Sequence, residues 1–284
     1  MFEYCTDPKT LEGLTWLSCY LTTPKQFSFY QSFLTVIGLL VVAVPPIMVL
    51  GFAGALAKRS AIAPVRWIGS LYTTMVRGVP DIVFFLFVPI ALDQLIEFLR
   101  HKALCPEMTG SVWVGNDFVV CDAAKAPLKD APNWVHDMYG FGLAVIAYAL
   151  VFGAFAANIL DGALKAVGRG QIEAGQSVGM SRRQIFFRIQ VRQMWIYALP
   201  GLSNLWMILI KATPLLFLLG VEDIVFWAKE LGGMKTQAYD YPHPDWRIWY
   251  FSALMVFYLL LTWISQAGFD RLNARLGRGM AVAR

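Results

Sequence analysis

The chain has 284 residues, of which 57% are apolar and 15% charged, and its formal net charge is +5. Such a composition excludes an ordinary soluble domain, and the apolar runs reach the roughly 20 residues that cross about 30 Å of hydrocarbon. The charge distribution argues against nucleic-acid binding, because Lys and Arg gather in loops between apolar segments and not along one soluble face.

In chain order, residues 1–29 form a mixed polar segment holding Cys5 and Cys19. No stretch there joins a short apolar core to a small-residue cleavage site, so the first span is expected to be retained. That span is predicted from about Tyr30 to Ala57, with a kink at Pro45-Pro46, and stops at Lys58-Arg59. Residues 59–77 read as a connector and an amphipathic segment. Pro80 is then expected to open the second span at its first helical position, and the span to continue to about Leu95. A long polar insertion, 97–137, carries Cys105 and Cys121 and lacks periodicity, which predicts an ordered loop or small subdomain outside the bilayer. The third span, Tyr139 to about Leu160, is rich in Gly and Ala and should lie centrally in the packing. Spans four (about Ile196–Leu219) and five (Trp246 to about Ala267) flank a segment that returns outside, and a basic tail, 271–284, ends the chain.

The organising stretch is 165–192, polar and basic between two apolar segments. It reads as two short helices meeting at a turn. The first ends near Gly179, a residue suited to the left-handed conformation that closes a helix. Ser181 and Gln184 have capping-box spacing for the second, and Met180 and Ile185 that of a hydrophobic staple. Ile185 and Ile189 share a face. Spacing alone leaves two readings open: a loop that docks on a partner, or an amphipathic elbow on the lipid surface. Lys58, Arg59, Arg66, the six Lys/Arg of the stretch, and Arg271, Arg275, Arg278 and Arg284 all fall on one side of a five-span topology. By the positive-inside rule that side is cytoplasmic, the N-terminus is outside and the C-terminus inside.

Glu173-Ala174-Gly175, Gly179 and Ile189 reproduce the spacing of the Glu-Ala-Ala loop of ABC importer permeases. The segment 198–225 and the turn Arg77-Gly78-Val79-Pro80 resemble the polar amino acid permeases, especially the histidine/lysine/arginine/ornithine and opine types. The resemblance covers roughly 32–270. Gly175 departs from the family's second Ala, Val191-Arg192 stand where Leu-Pro is usual, and Asn158 and Asp161 occupy places usually held by Glu and Arg. The resemblance implies an all-α integral membrane protein with five transmembrane helices in the type I ABC importer arrangement, in a bacterial inner membrane. It implies a permease domain over 30–270, and a coupling loop at 165–192 that sits on the ATPase through Glu173, Ala174, Gly175, Gly179 and Ile189. It further implies two ATPase subunits carrying ATP and Mg, a second permease subunit (a paralogue before an identical copy), and a periplasmic substrate-binding protein. The expected cargo is a polar, basic amino acid or a related opine.

The remaining chemistry is sparse. No Gly-x4-Gly-Lys-Ser/Thr pattern occurs, so ATP hydrolysis is expected on a separate chain, and no cofactor on this one. His101, His136 and His243 lack ligand spacing to Cys, so no metal site is expected. Lys211 lies inside span four, either at a helix break before Pro214 or lining a polar chamber with Asn204 and Thr213. Asp81 reads either as first-turn helix chemistry or as an attractor for a cationic group, with Lys211 facing the cargo's carboxylate. All four cysteines fall outside, where thiols are oxidised. The shortest pairing joins Cys105 to Cys121 and Cys5 to Cys19, against the alternative that all are free. The competing functional reading is a self-sufficient secondary transporter or channel, which predicts intramembrane acid pairs and inverted repeats.

Overall fold

The computed structural model describes residues 5, 8, 11–115, 117–128, 130–219 and 221–277. Among them, five helices are long and apolar enough to cross a membrane. They begin with α2 (Pro24–Lys58), preceded by a short α1 (Gly13–Leu21). Pro24 sits where a missing N–H costs nothing, and Thr23 Oγ1 accepts the Gln26 amide, so α2 starts six residues before the sequence expectation. Its 35 residues extend roughly 50 Å, and the helix runs on through Pro45 and Pro46. After α3 (Ala63–Gly78), Pro80 caps α4 (Asp81–Leu104) from outside and does not occupy its first helical position. The helix outlasts its predicted end at Leu95 because the polar residues after Asp93 are mostly good helix formers.

The insertion is therefore irregular only between Leu104 and Asn133. It contains the strands β1 (Trp113–Val114) and β2 (Asp117–Phe118), paired antiparallel, and one short 3-10 turn. Next come α5 (Asn133–Ala166) and α6 (Arg169–Ser177). The second short helix of the organising stretch is not separate. α7 (Arg182–Ile185) passes through a π turn at Phe186–Gln190 directly into α8 (Val191–Ala212), so span four starts about fourteen residues earlier than its apolar run suggests. A 3-10 segment (Thr213–Leu219) follows α8 at Pro214, then α9 (Ile224–Gly232) and α10 (Arg247–Gly277). The remainder of the predicted tail lies outside the described residues.

The chain divides into two compact units. One comprises Val42–Leu205 and Leu218–Val221, and α5 is its axis. A Cβ on Gly51 would lie 2.8 Å from Ala156 Cβ, one on Gly54 2.8 Å from Ala157 Cβ, and one on Gly153 2.8 Å from Leu50 Cβ. Each glycine receives the Cβ of a residue on the facing helix, which lets the two helices approach closely. α3 joins them: the Tyr72 hydroxyl donates to the Leu150 carbonyl, and Gly69 lies against Ala57. Ala55, Leu160, Leu164, Met194 and Ala198 fill the core beyond.

The other unit comprises Met1–Val41, Trp206–Phe217 and Glu222–Arg284. Phe29, Phe33 and Phe257 pack edge to face, and the Tyr20 hydroxyl meets the Tyr250 hydroxyl at 2.9 Å beside buried Gln26. α9 was not visible as a helix in the sequence. Asp223 caps it, accepting the amides of Val225 and Phe226 at 3.1 and 2.9 Å.

Two outcomes follow. Gly51→Leu should displace α2 from α5 and cost on the order of 1–3 kcal/mol, whereas Gly38→Ala, whose Cβ meets nothing, should be tolerated. Thermal unfolding of the purified protein, followed by size-exclusion recovery, separates them. Burial pushes the Asp223 carboxyl up to about 6, although the amides it caps pull the other way. Its proton is held more tightly folded than unfolded, so its contribution is complete below about pH 4 and lost as pH rises through about 6. Melting temperatures from pH 4 to 7 should therefore fall less steeply in Asp223→Asn, which keeps the capping oxygen but cannot ionise. Identical slopes would refute the assignment.

Candidate functional site

The loop after α5 is shaped by its own backbone. Gly179 has φ +80°, and around it the Met180 amide donates to Gly175 O at 3.0 Å and the Gly179 amide to Gln176 O at 2.9 Å. This is the two-bond closure in which a left-handed residue ends a helix. Ser181 Oγ then accepts the Gln184 amide at 3.3 Å, and Gln184 Oε1 accepts the Ser181 amide at 2.9 Å, a complete capping box. Gly175 is buried, with the Ile189 and Ile185 side chains 2.9 and 3.1 Å from where a Cβ would stand. The larger residue expected from related loops is thus replaced here by two isoleucine side chains entering from α7 and the π turn. Glu173, Ala174 and Gly179 are exposed, and Ile189 is partly so. Val178 and Phe187 are 76% and 57% exposed, set among Arg182, Arg183 and Arg188.

At the base of this loop stands Asp161, 4% exposed, on the last turns of α5. Lys165 Nζ donates to it at 2.7 Å, Lys58 Nζ lies at 3.7 Å and Arg59 at 4.0 Å. Lys58 also donates to Asn158 Oδ1 at 2.8 Å. One buried carboxylate thus gathers the end of α2 and the first residue of the loop. Removing it would leave three cations crowded together, the costly way to break a buried ion pair. Sequence reasoning noted Asn158 and Asp161 only as departures. The doubly basic end of α2 was the signal that a buried acid was needed nearby.

The other predicted residues are scattered. Asn204 and Lys211 are exposed on α8, seven residues apart on one face, with Ile208 between them. Thr213 does not share that exposure. It is wholly buried, donating to Ile210 O and meeting the Tyr258 hydroxyl, each at 2.9 Å, since a place two residues after Lys211 turns it to the opposite side of the helix. Asp81 is half-buried at the first turn of α4. Cys5 and Cys19 are joined with Cα atoms 5.6 Å apart, and Cys105 and Cys121 with Cα atoms 6.7 Å apart. His101 lies beside the second pair, its Nδ1 accepting the Cys121 amide at 3.0 Å. Both sulfurs there are spent on each other, so this His/Cys group offers no thiolate to a metal.

Residues 47–278 match the family described as binding-protein-dependent transport system inner membrane component. The arginine ABC transporter permease protein ArtQ of Escherichia coli is 33% identical, over 85% of this chain and 92% of its own length. The histidine/lysine/arginine/ornithine transport system permease protein HisQ of Salmonella typhimurium is 30% identical, over 83% and 87%. Among solved structures, the crystal structure of an amino acid ABC transporter with histidines superposes with a TM-score of 0.61 at 20% identity, covering 94% of this chain and 99% of the other. With a match over most of the chain, the self-sufficient transporter or channel gives way. The chain belongs to the inner membrane components of binding-protein-dependent transport systems, as the membrane-embedded permease and not the ATPase.

Proposed function

We propose that this permease carries basic amino acids, or opines built on them, and that residues 165–192 are the surface on which a cytoplasmic ATPase docks. The single observation that carries the docking role is the rigid shape of the loop, closed at Gly179 and capped at Ser181, with Val178 and Phe187 exposed between arginines. A lipid elbow needs an apolar face but no such fixed turn. The ion pairs of Asp161 support the same reading, since a docking loop must be anchored to the spans it moves. Two ATPases binding ATP and Mg and a paired permease subunit complete the proposed assembly. A binding protein delivers cargo to the side opposite the basic loops. Alternating access then follows from the different affinities of ATP-bound and ATP-free states.

The cargo class is supported by the two relatives above, whose names specify cationic amino acids. Asp81 is the proposed contact for the cargo's cationic group within this chain, and Asn204 and Lys211 present a polar face on α8. Thr213 is withdrawn from that pathway by its burial.

Gly179→Val separates docking from folding. No atom lies within 4 Å of the added Cβ, so the penalty is the left-handed backbone alone, about 1–2 kcal/mol. Stimulation of ATP turnover by loaded binding protein should disappear in Gly179→Val and persist in Gly179→Asn, with membrane insertion unchanged in both. Equal stimulation in the two would remove the loop from the coupling role. For the cargo, Asp81→Asn should weaken vesicle uptake of a cationic amino acid more than that of a neutral one, and Lys211→Met should weaken both. Equal losses in Asp81→Asn return that residue to helix-end chemistry.

A further inference from the structure

At the far end of the same unit from the coupling loop, α4 and the start of α5 enclose a cleft of about 380 Å³ beneath the disulfide-closed insertion. That volume is within the range of small-ligand pockets, about 300–1,000 Å³. Asp93, His136, Tyr139 and Pro127 line it. Asp93 Oδ1 accepts the Tyr139 hydroxyl at 2.7 Å, which fixes the carboxylate against one wall. One turn further along α4, Glu97 accepts the Ala126 amide at 3.3 Å.

The charges here do not balance. Asp93 and Glu97 are four residues apart, a spacing at which like charges repel. Among the described residues no Lys or Arg nitrogen comes within 4.0 Å of either carboxylate. Arg100 is the neighbour best placed to neutralise them, yet its guanidinium donates to the carbonyls of Ala124 and Ala123, both at 3.0 Å. Lys125 lies 3.6 Å from Asp122. His136 is exposed at the rim. The insertion that roofs the cleft is held down by the Cys105–Cys121 bond and by the Cys121 amide on His101. Two acids are thus kept close together beside an open pocket, with the nearest arginine bonded to carbonyls and to neither carboxylate.

We infer that this cleft is a cation-selective entry site, in which Asp93, backed by Glu97, receives the ammonium or guanidinium group of a basic amino acid before it reaches the spans. The inference rests on the proposed cargo class and on the insertion lying outside. A lysine or arginine side chain of the docked binding protein offers the same chemistry, and the test separates the two sources.

The test uses the assembled transporter in lipid nanodiscs, with His136→Cys as a thiol reporter at the rim. The four native cysteines are consumed in disulfides. Modification rates with a trimethylammonium methanethiosulfonate and with its sulfonate analogue are each divided by the rate with a free small thiol. The expected preference for the cationic reagent is about tenfold, the low end of what a focused field achieves. It should fall to about unity when Asp93→Asn and Glu97→Gln are added. L-arginine should slow the reaction, and its neutral isostere L-citrulline should not. Gly140→Cys, whose Cβ meets only Val221 at 4.0 Å, is the second reporter should the first fail to assemble. Equal normalised rates in the parent, or a preference that survives the double substitution, would overturn the site. Protection by ligand-free binding protein with none from arginine would overturn the cargo assignment. Arginine uptake by the unsubstituted complex in proteoliposomes is measured in parallel. Uptake without charge preference refutes the cleft alone; charge preference and arginine protection without uptake support the cleft and refute the cargo class.

Discussion

The contact on which the most depends is the one where α5 meets α2 with almost no side chain between them. In a bilayer the hydrophobic effect gives helices no reason to prefer one another to lipid, so close approach and dispersion must supply the cohesion. Gly51 on Ala156, Gly54 on Ala157 and Gly153 on Leu50 provide that approach. Because α5 is gripped in this way, its two ends become fixed platforms. One carries Asp161 and the loop 165–192, the other Tyr139 and a wall of the cleft beside Asp93.

The ionic cluster at Asp161 makes sense only on that platform. A carboxylate 4% exposed is expensive to desolvate, and Lys58, Arg59 and Lys165 offset the cost only if they are delivered to it without strain. The glycine contacts set the depth at which α2 ends, which brings Lys58 and Arg59 level with Asp161. The small-residue packing and the ion cluster thus act on the same pair of helices. Asp161 in turn joins the end of α2 to the base of the loop, so a displacement of the loop reaches two helices together.

Much of this was legible in the sequence. Five apolar runs gave five spans, the Gly/Ala-rich run was the most buried of them, and Gly179 followed by Ser181 and Gln184 foretold the turn that forms. These are signals carried by local chemistry or by mean composition. What stayed hidden has a common physical character. The continuity of α7 with α8 was obscured because polar residues in 182–195 look like loop, although the helix they form simply projects beyond the apolar zone. The extension of α4 past Leu95 was missed for the same reason. α9 was overlooked because a nine-residue helix is too short for its periodicity to stand out, and only the capping role of Asp223 marked it. Thr213 was grouped with Lys211 as a polar neighbour in sequence, although two residues along a helix turn it to the other side, where it is buried.

Different parts of the chain are also stabilised by different chemistry. The Cys105–Cys121 bond closes the insertion in the unit built on α5, and within the other unit the Cys5–Cys19 bond, the stacked His243 and Trp246 and the Tyr20–Tyr250 hydroxyl pair fix the structure by a covalent link and dense aromatic packing. On the side of the basic loops there is neither disulfide nor aromatic box among the described residues; capping hydrogen bonds and one ion cluster hold the shape. Links of the first kind resist rearrangement, while hydrogen bonds and ion pairs exchange readily for others of similar strength. Links of the second kind suit the proposed docking role of 165–192, where partners would change in every cycle without unfolding.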